Sequence, residues 1–140
     1  MELEFSISCV PPKGTSQMKG IRVVKGIAMH YKKKEVQAAE DEMLTKLKTH
    51  VPDKPFEGPI ELYVKWTYPW RSNEPKKNQV KGWMWKFTRP DCSNFVKLFE
   101  DCMTKLEFWG DDAQVARLIV EKHWGNCPGF EVKIKNLIEE

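Results

Sequence analysis

Hydrophobic and polar positions alternate at the start of the chain. Leu3, Phe5, Ile7 and Cys9 are separated by Glu4, Ser6 and Ser8. A period of two marks a strand with one buried face. Pro11, Pro12 and Gly14 end it. Two short apolar runs, Ile21–Val24 and Ile27–Tyr31, flank Lys25-Gly26 and predict a hairpin. From Lys32 to Thr49 the period changes. Val36, Ala39, Met43, Leu44 and Leu47 form a helical stripe interrupted by Glu40. Pro52 and Pro55 lie beyond the helix end. Ile60, Leu62, Val64, Trp66 and Tyr68 then give another strand. Pro69 to Thr88 reads as a long basic loop holding Trp70, Trp83 and Trp85.

A second helix is expected from Asp91 to Glu107, with Phe95, Leu98, Phe99, Cys102 and Leu106 on its buried side. Asn94, Lys97 and Asp101 fall on a different, polar side. Phe108–Asp112 forms a turn, Ala113–Trp124 a strand, and Phe130–Ile138 a last strand. The pattern predicts one α/β (α+β) domain over residues 1–140. Its mixed sheet has about six strands, with two main helices.

A chain of 140 residues buries a core without disulfide staples. The four cysteines, Cys9, Cys92, Cys102 and Cys127, form no C-x-x-C pair. They are expected to be reduced, mostly buried and not zinc ligands. His30, His50 and His123 show no ligand spacing. No apolar run reaches the ~20 residues of a membrane helix, and the expected location is cytoplasmic. Six tryptophans are many for this length, and some are expected at an interface.

The net charge of +3 says little, but its distribution says more. Met18–Lys34 is basic and acid-free. Lys65–Arg89 is basic with Glu74 as its single acid. Acids gather instead in Glu35–Glu42 and Glu100–Asp112. Such segregation suits a protein that grips phosphates with one surface and holds a divalent cation with another.

The chemistry concentrates in Arg89-Pro90-Asp91-Cys92-Ser93-Asn94-Phe95-Val96-Lys97 and in Phe108-Trp109-Gly110-Asp111-Asp112-Ala113-Gln114-Val115. Converging carboxylates need a cation or a proton between them, and hard oxygen ligands select Mg²⁺ or Mn²⁺. Taken singly, Asp91 is an ordinary helix cap and Asp111-Asp112 an ordinary turn. A helix from Asp91 to Glu107 spans roughly 24 Å. Asp91 and Asp112 therefore meet only if the helix is shorter, if the turn folds back over it, or if a symmetric partner brings the two ends together.

The combination D-x-x-N-x-x-K, a helix, then D-D-A-Q-V resembles the RusA family of Holliday-junction resolvases. The strong match covers Arg89 to Val115, and Val10-Pro11-Pro12-Lys13 adds a looser one. The resemblance implies a homodimeric, Mg²⁺-dependent endodeoxyribonuclease (Mn²⁺ being possible) that makes paired symmetrical cuts in four-way DNA junctions. Phage or prophage products are typical members. Carried over by residue, Asp91 and Asp112 are catalytic and metal-linked, Asp111 is a further metal candidate and Lys97 is the catalytic lysine. Asn94 matches the motif asparagine. Lys13, Lys19, Arg22, Arg71, Lys76, Lys77, Lys81 and Arg89, with Asn94, are the candidate DNA contacts. Trp83 and Trp85 are candidates for base stacking or dimer packing.

One position departs from the pattern. Ser93 stands where the family has a second aspartate and is at best a weak metal ligand. Either a nearby acid (Glu100, Asp101 or Glu61) replaces it, or activity is weakened, or the protein binds branched DNA without cutting it.

Overall fold

The computed structural model describes residues 1–11, 19–24, 27–32 and 34–138, and side chains for 1–11 and 37–138. The N-terminal alternation forms β1 (Glu2–Ser8), with Phe5 buried and Glu2, Glu4 and Ser6 exposed. β2 (Lys19–Val24) and β3 (Ile27–Lys32) pair antiparallel as a separate two-stranded sheet. The first helix, α1, is Lys34–Lys48. β4 (Ile60–Pro69) follows, and its alternate residues Ile60, Leu62, Val64, Trp66 and Tyr68 are all buried.

The stretch expected to be a plain loop contains a single helical turn, α2 (Lys76–Gln79), and a three-residue strand, β5 (Trp83–Trp85). Glu74 explains this local order. Its buried carboxylate accepts from Arg71 at 2.9 Å and from Asn78 at 3.3 Å, while its carbonyl accepts from Gln79. A hairpin-scale signal of this kind has no hydrophobic period, so it is invisible to pattern reading.

The second main helix, α3, is Cys92–Lys105. It stops short of Glu107 because that residue takes φ 64°, turning the chain into the Phe108–Asp112 segment. β6 (Val115–Gly125) and β7 (Gly129–Asn136) close the chain. The main sheet has the order β1-β7-β4-β6-β5. Only β4 and β6 are parallel, because α3 lies in the crossover between them. A side chain at Gly129 would come within 2.1 Å of the Ile7 carbonyl oxygen, so the β1–β7 approach requires glycine there.

The helices cover one face of the sheet. Trp66, fully buried, meets Phe95, Phe99 and Phe130 at ring-centroid distances of 4.1, 5.3 and 4.9 Å. Burying one side chain of this size contributes roughly 1.5–3 kcal/mol. An exposed ion pair contributes about 0–1 kcal/mol. The aromatic cluster, rather than surface charge, therefore fixes α3 against β4 and β7. Glu40, which breaks the apolar stripe of α1, is buried and paired with Lys105 of α3. The opposite sheet face carries Tyr63, Lys65 and Glu131 and stays half open.

Candidate active site

Asp91 occupies the N-cap position of α3 with an extended backbone (φ −69°, ψ 144°), yet its side chain makes no capping hydrogen bond. Its carbonyl accepts from Phe95 N–H at 3.0 Å. The carboxylate is exposed and is not spent on holding the helix. Behind it, Lys122 of β6 donates to the carbonyls of Thr88 and Pro90, both at 2.6 Å. Lys86 lies over the Trp124 and Tyr68 rings at 3.9 and 4.8 Å. Burial, then Lys122 and Arg71, hold Lys86 below the ordinary lysine range. The N-terminal end of α3 is thus fastened to the far end of β6 and is rich in cations.

The other end is built differently. Trp109 is fully buried and donates its Nε1–H to Thr104 Oγ1 at 2.8 Å, and the Thr104 hydroxyl donates to Asp112 Oδ1. Asp111 caps the single 3-10 turn Asp112–Gln114, its Oδ1 accepting from Ala113 N–H at 2.9 Å. Gln114 closes the cap in reverse, with Oε1 accepting from the N–H groups of Gly110 (2.8 Å) and Asp111 (3.1 Å). Its Nε2 donates to the Phe56 and Gly58 carbonyls at 2.9 and 3.0 Å. Asp111 is therefore a structural cap that presents Asp112. The D-x-x-Q spacing is a capping-box signature, and it was the available signal for Gln114. The roles of Thr104 and Trp109 had none, since both depend on the helix end turning back.

Glu100 joins this end. Burial first, then the carboxylates of Asp112 and Asp101, push it up to about 7. Ser93, Lys97, Glu100 and Thr104 follow one stripe of α3, so Lys97 lies between the two ends. Lys97 and Ser93 are exposed.

The two ends do not meet within one chain. Asp112 is tied to Thr104, thirteen residues along α3 from Asp91, which is a rise of roughly 20 Å. The sheet agrees. Lys122, at the Asp91 end, and Val115, beside Asp112, are seven strand residues apart, or roughly 23 Å. Neither a short helix nor a folded-back turn brings the aspartates together. Among the described residues, no three His, Cys, Asp or Glu side chains converge closely enough to hold a metal ion. Of the acids considered as replacements at Ser93, Glu61 is on the sheet face away from α3 and pairs with Arg117 (3.5 Å) and Lys135 (3.2 Å). Glu100 lies two turns beyond Ser93, with Asp112.

The basic candidates scatter. Lys76, Lys77, Lys81 and Arg89 are exposed, and Asn94, in α3, is half-buried. Arg71 is committed to Glu74 at 2.9 Å and lies over Trp124 at 5.2 Å. Lys13 lies outside the described residues, as do the side chains of Lys19, Arg22 and His30. Trp83 and Trp85 are about half exposed and pack on His123 at 4.5 and 4.6 Å. Trp66 and Trp109 are core residues instead. His50 stacks on Phe5, and His123 accepts or donates one bond to Glu121, so neither resembles a metal ligand. None of the four cysteines forms a disulfide. Contrary to expectation only Cys102 is fully buried, and Cys127, in the turn before β7, is exposed. No described helix is long and apolar enough to cross a membrane.

Comparison with known proteins matches residues 10–135 to the family described as Endodeoxyribonuclease RusA. A protein of Lactococcus phage r1t named "Crossover junction endodeoxyribonuclease rusA" is 31% identical over 121 residues, covering 86% of each chain. "Uncharacterized protein YqaN" of Bacillus subtilis (strain 168) is 32% identical over 93 residues, covering 63% of this chain and 65% of that one.

Proposed function

The chain belongs to the RusA family of endodeoxyribonucleases, and from that premise we propose that it resolves four-way DNA junctions by paired, metal-dependent phosphodiester hydrolysis. The observation that carries this reading is the Glu100–Asp112 pair. Asp112 is held by Thr104, one helical turn beyond Glu100, so both carboxylates belong to the motif turn, and Glu100 is pushed up to about 7 by burial first and by Asp112 second. Neighbouring oxygens of this kind suit a hard cation such as Mg²⁺ or Mn²⁺. A bound ion would acidify water and offset charge on the scissile phosphate.

One chain supplies only part of such a site. A two-fold dimer that sets the α3 helices antiparallel unites Asp91 and Lys97 of one protomer with the partner subunit's Glu100 and Asp112. Two equivalent sites then face the two equivalent strands of a junction. Lys97 holds the phosphate and stabilises charge developing on it. In hydrolysis the water oxygen bonds to phosphorus, the bond from phosphorus to the bridging oxygen breaks, and that oxygen leaves with a proton. Lys76, Lys77, Lys81 and Arg89 grip flanking phosphates, which sets position rather than sequence.

Ser93 supports a second reading, a junction binder with weakened cutting. The serine is exposed and no acid stands within a turn of it on α3 apart from Asp91. Cleavage of a mobile four-way junction with Mg²⁺ and then Mn²⁺ separates the two. Paired nicks by wild type that vanish in Asp112→Asn support the nuclease. Binding without cutting, with cutting gained in Ser93→Asp, supports the lapsed site. If no variant binds or cuts, the junction is the wrong substrate.

A further inference from the structure

Strand β5 and the two residues after it turn the wrong side inward. Lys86 is buried, its ammonium over the Tyr68 and Trp124 rings, while Trp83, Trp85 and Phe87 are 48%, 57% and 91% accessible. Lys86 N–H bonds the Lys122 carbonyl at 3.0 Å and carries the β5–β6 ladder one residue past Trp85. Alternation then sets Phe87 on the side of Trp83 and Trp85. Burying one aromatic of this size contributes roughly 1.5–3 kcal/mol, which the strip largely forgoes at each ring while a lysine takes the inner face. Exposed aromatics in a row mark a binding surface. The two tryptophans are also held in place. Trp83 stacks on His123 (4.5 Å, 18°), Trp85 meets the same ring edge-on (4.6 Å, 80°), and His123 is itself buried and bonded to Glu121 at 3.0 Å.

The surroundings select the occupant. From Pro75 to Pro90 the chain contains no acid, and Lys76, Lys77, Lys81 and Arg89 are exposed. Rings interleaved with cations suit an unpaired nucleic-acid strand, whose bases stack on the rings while its phosphates meet the cations. Residues two apart in a strand repeat at roughly 6.7 Å, about twice the 3.4 Å rise of a stacked nucleotide. A strand pulled out of its stack can therefore set one base on each ring. The strip also leads to the motif. Phe87 is four residues from Asp91, hence at most about 14 Å away, or about four stacked nucleotides. We propose that Trp83, Trp85 and Phe87 form a platform for unpaired DNA bases, with Lys81 and Arg89 at the phosphates on either side, and that the chain takes branched DNA with a single-stranded segment beside the branch. The continuation to Asp91 rests on the nuclease reading above, while the platform does not.

The test uses the full chain, without metal, and a short oligothymidylate. The oligonucleotide should quench tryptophan fluorescence, and a blunt duplex of the same length should bind and quench less. Phe87→Ala and Trp85→Ala should each weaken oligothymidylate binding about 5–150-fold and leave its salt dependence as it is. Lys81→Gln should instead reduce the salt slope by about 0.7. Phe87 is almost wholly exposed, so its variant decides if Trp85→Ala loses its circular dichroism. A wild type that does not bind the oligonucleotide, or binding that Phe87→Ala leaves unchanged, overturns the proposal. Ring variants that change only the oligomeric mass overturn it too, since the strip would then be a protein contact. Ring-dependent binding with no branched DNA cut in Mg²⁺ or Mn²⁺ keeps the platform and sinks the nuclease reading. Junction cutting by a wild type that ignores oligothymidylate sinks the platform alone.

Discussion

The two ends of α3 make opposite use of the same residue type. At the N-terminal end Asp91 stands where a capping aspartate normally works and caps nothing, amid Lys122, Lys86 and Arg89. At the C-terminal end Asp111 does cap, Gln114 completes the box, and Asp112 is held by a threonine that a buried tryptophan orients. One end is exposed and cationic, the other braced and acidic. On the proposed function, the contrast would separate phosphate grip from cation affinity along a helix roughly 20 Å long. Neither end by itself gathers three metal-ligating side chains among the described residues, and the proposed dimer would join the two.

The largest effects come from breaking either end. Asp91→Asn and Asp112→Asn should each lower junction cleavage on the order of a thousandfold. Mixing the two inactive proteins sharpens the comparison. With random pairing about half the dimers are mixed, each with one intact shared site, so about a quarter of wild-type nicking should return, as single nicks. No recovery after verified subunit exchange would mean that each site lies within one chain.

Next is the brace. Thr104→Val keeps the shape of the side chain but releases Asp112 and strands the Trp109 N–H. Cleavage should fall about 10–100-fold, as when a supporting residue of a metal site is lost. Thermal unfolding should register about 1–3 kcal/mol from the unpaired indole. A variant with normal cleavage would show that Asp112 needs no support. Gln114→Ala should cost about 1–2 kcal/mol in urea unfolding, the usual scale for a lost cap.

The smallest effect is on pH. Burial holds His123 below its ordinary 6.5, against the opposing Glu121 hydrogen bond. Below 6.5 the unfolded chain binds a proton that the folded chain refuses, so stability is complete above that pH and declines as pH falls through the folded value. Wild type should therefore lose more stability than His123→Gln between pH 7.5 and 5.5, with Trp83 fluorescence reporting the change at its stacked ring. Parallel losses in both proteins would remove His123 as the cause.

Much of the fold is legible in the chain because burial writes a period. The alternation from Ile60 to Tyr68 and the helical stripe from Phe95 to Cys102 both appear where the sequence puts them. The basic stretch after Pro69 was less legible. Glu74 organises it by hydrogen bonds to Arg71, Asn78 and Gln79, and short polar networks leave no repeating signature. Glu40 looked like a flaw in an apolar stripe, yet it finds Lys105, sixty-five residues away.

The candidate site divides the same way. The sequence by itself determined which carboxylates belong to the motif, that Ser93 replaces one, and that a helix stands between them. Only the tertiary structure decided that this helix stays extended, that Glu100 rather than Glu61 keeps company with Asp112, and that Lys86 is buried while Trp85 and Phe87 are not. Motif chemistry is local and survives in residue order. Distance and burial arise when segments remote in the chain pack together, and no single stretch of sequence records them.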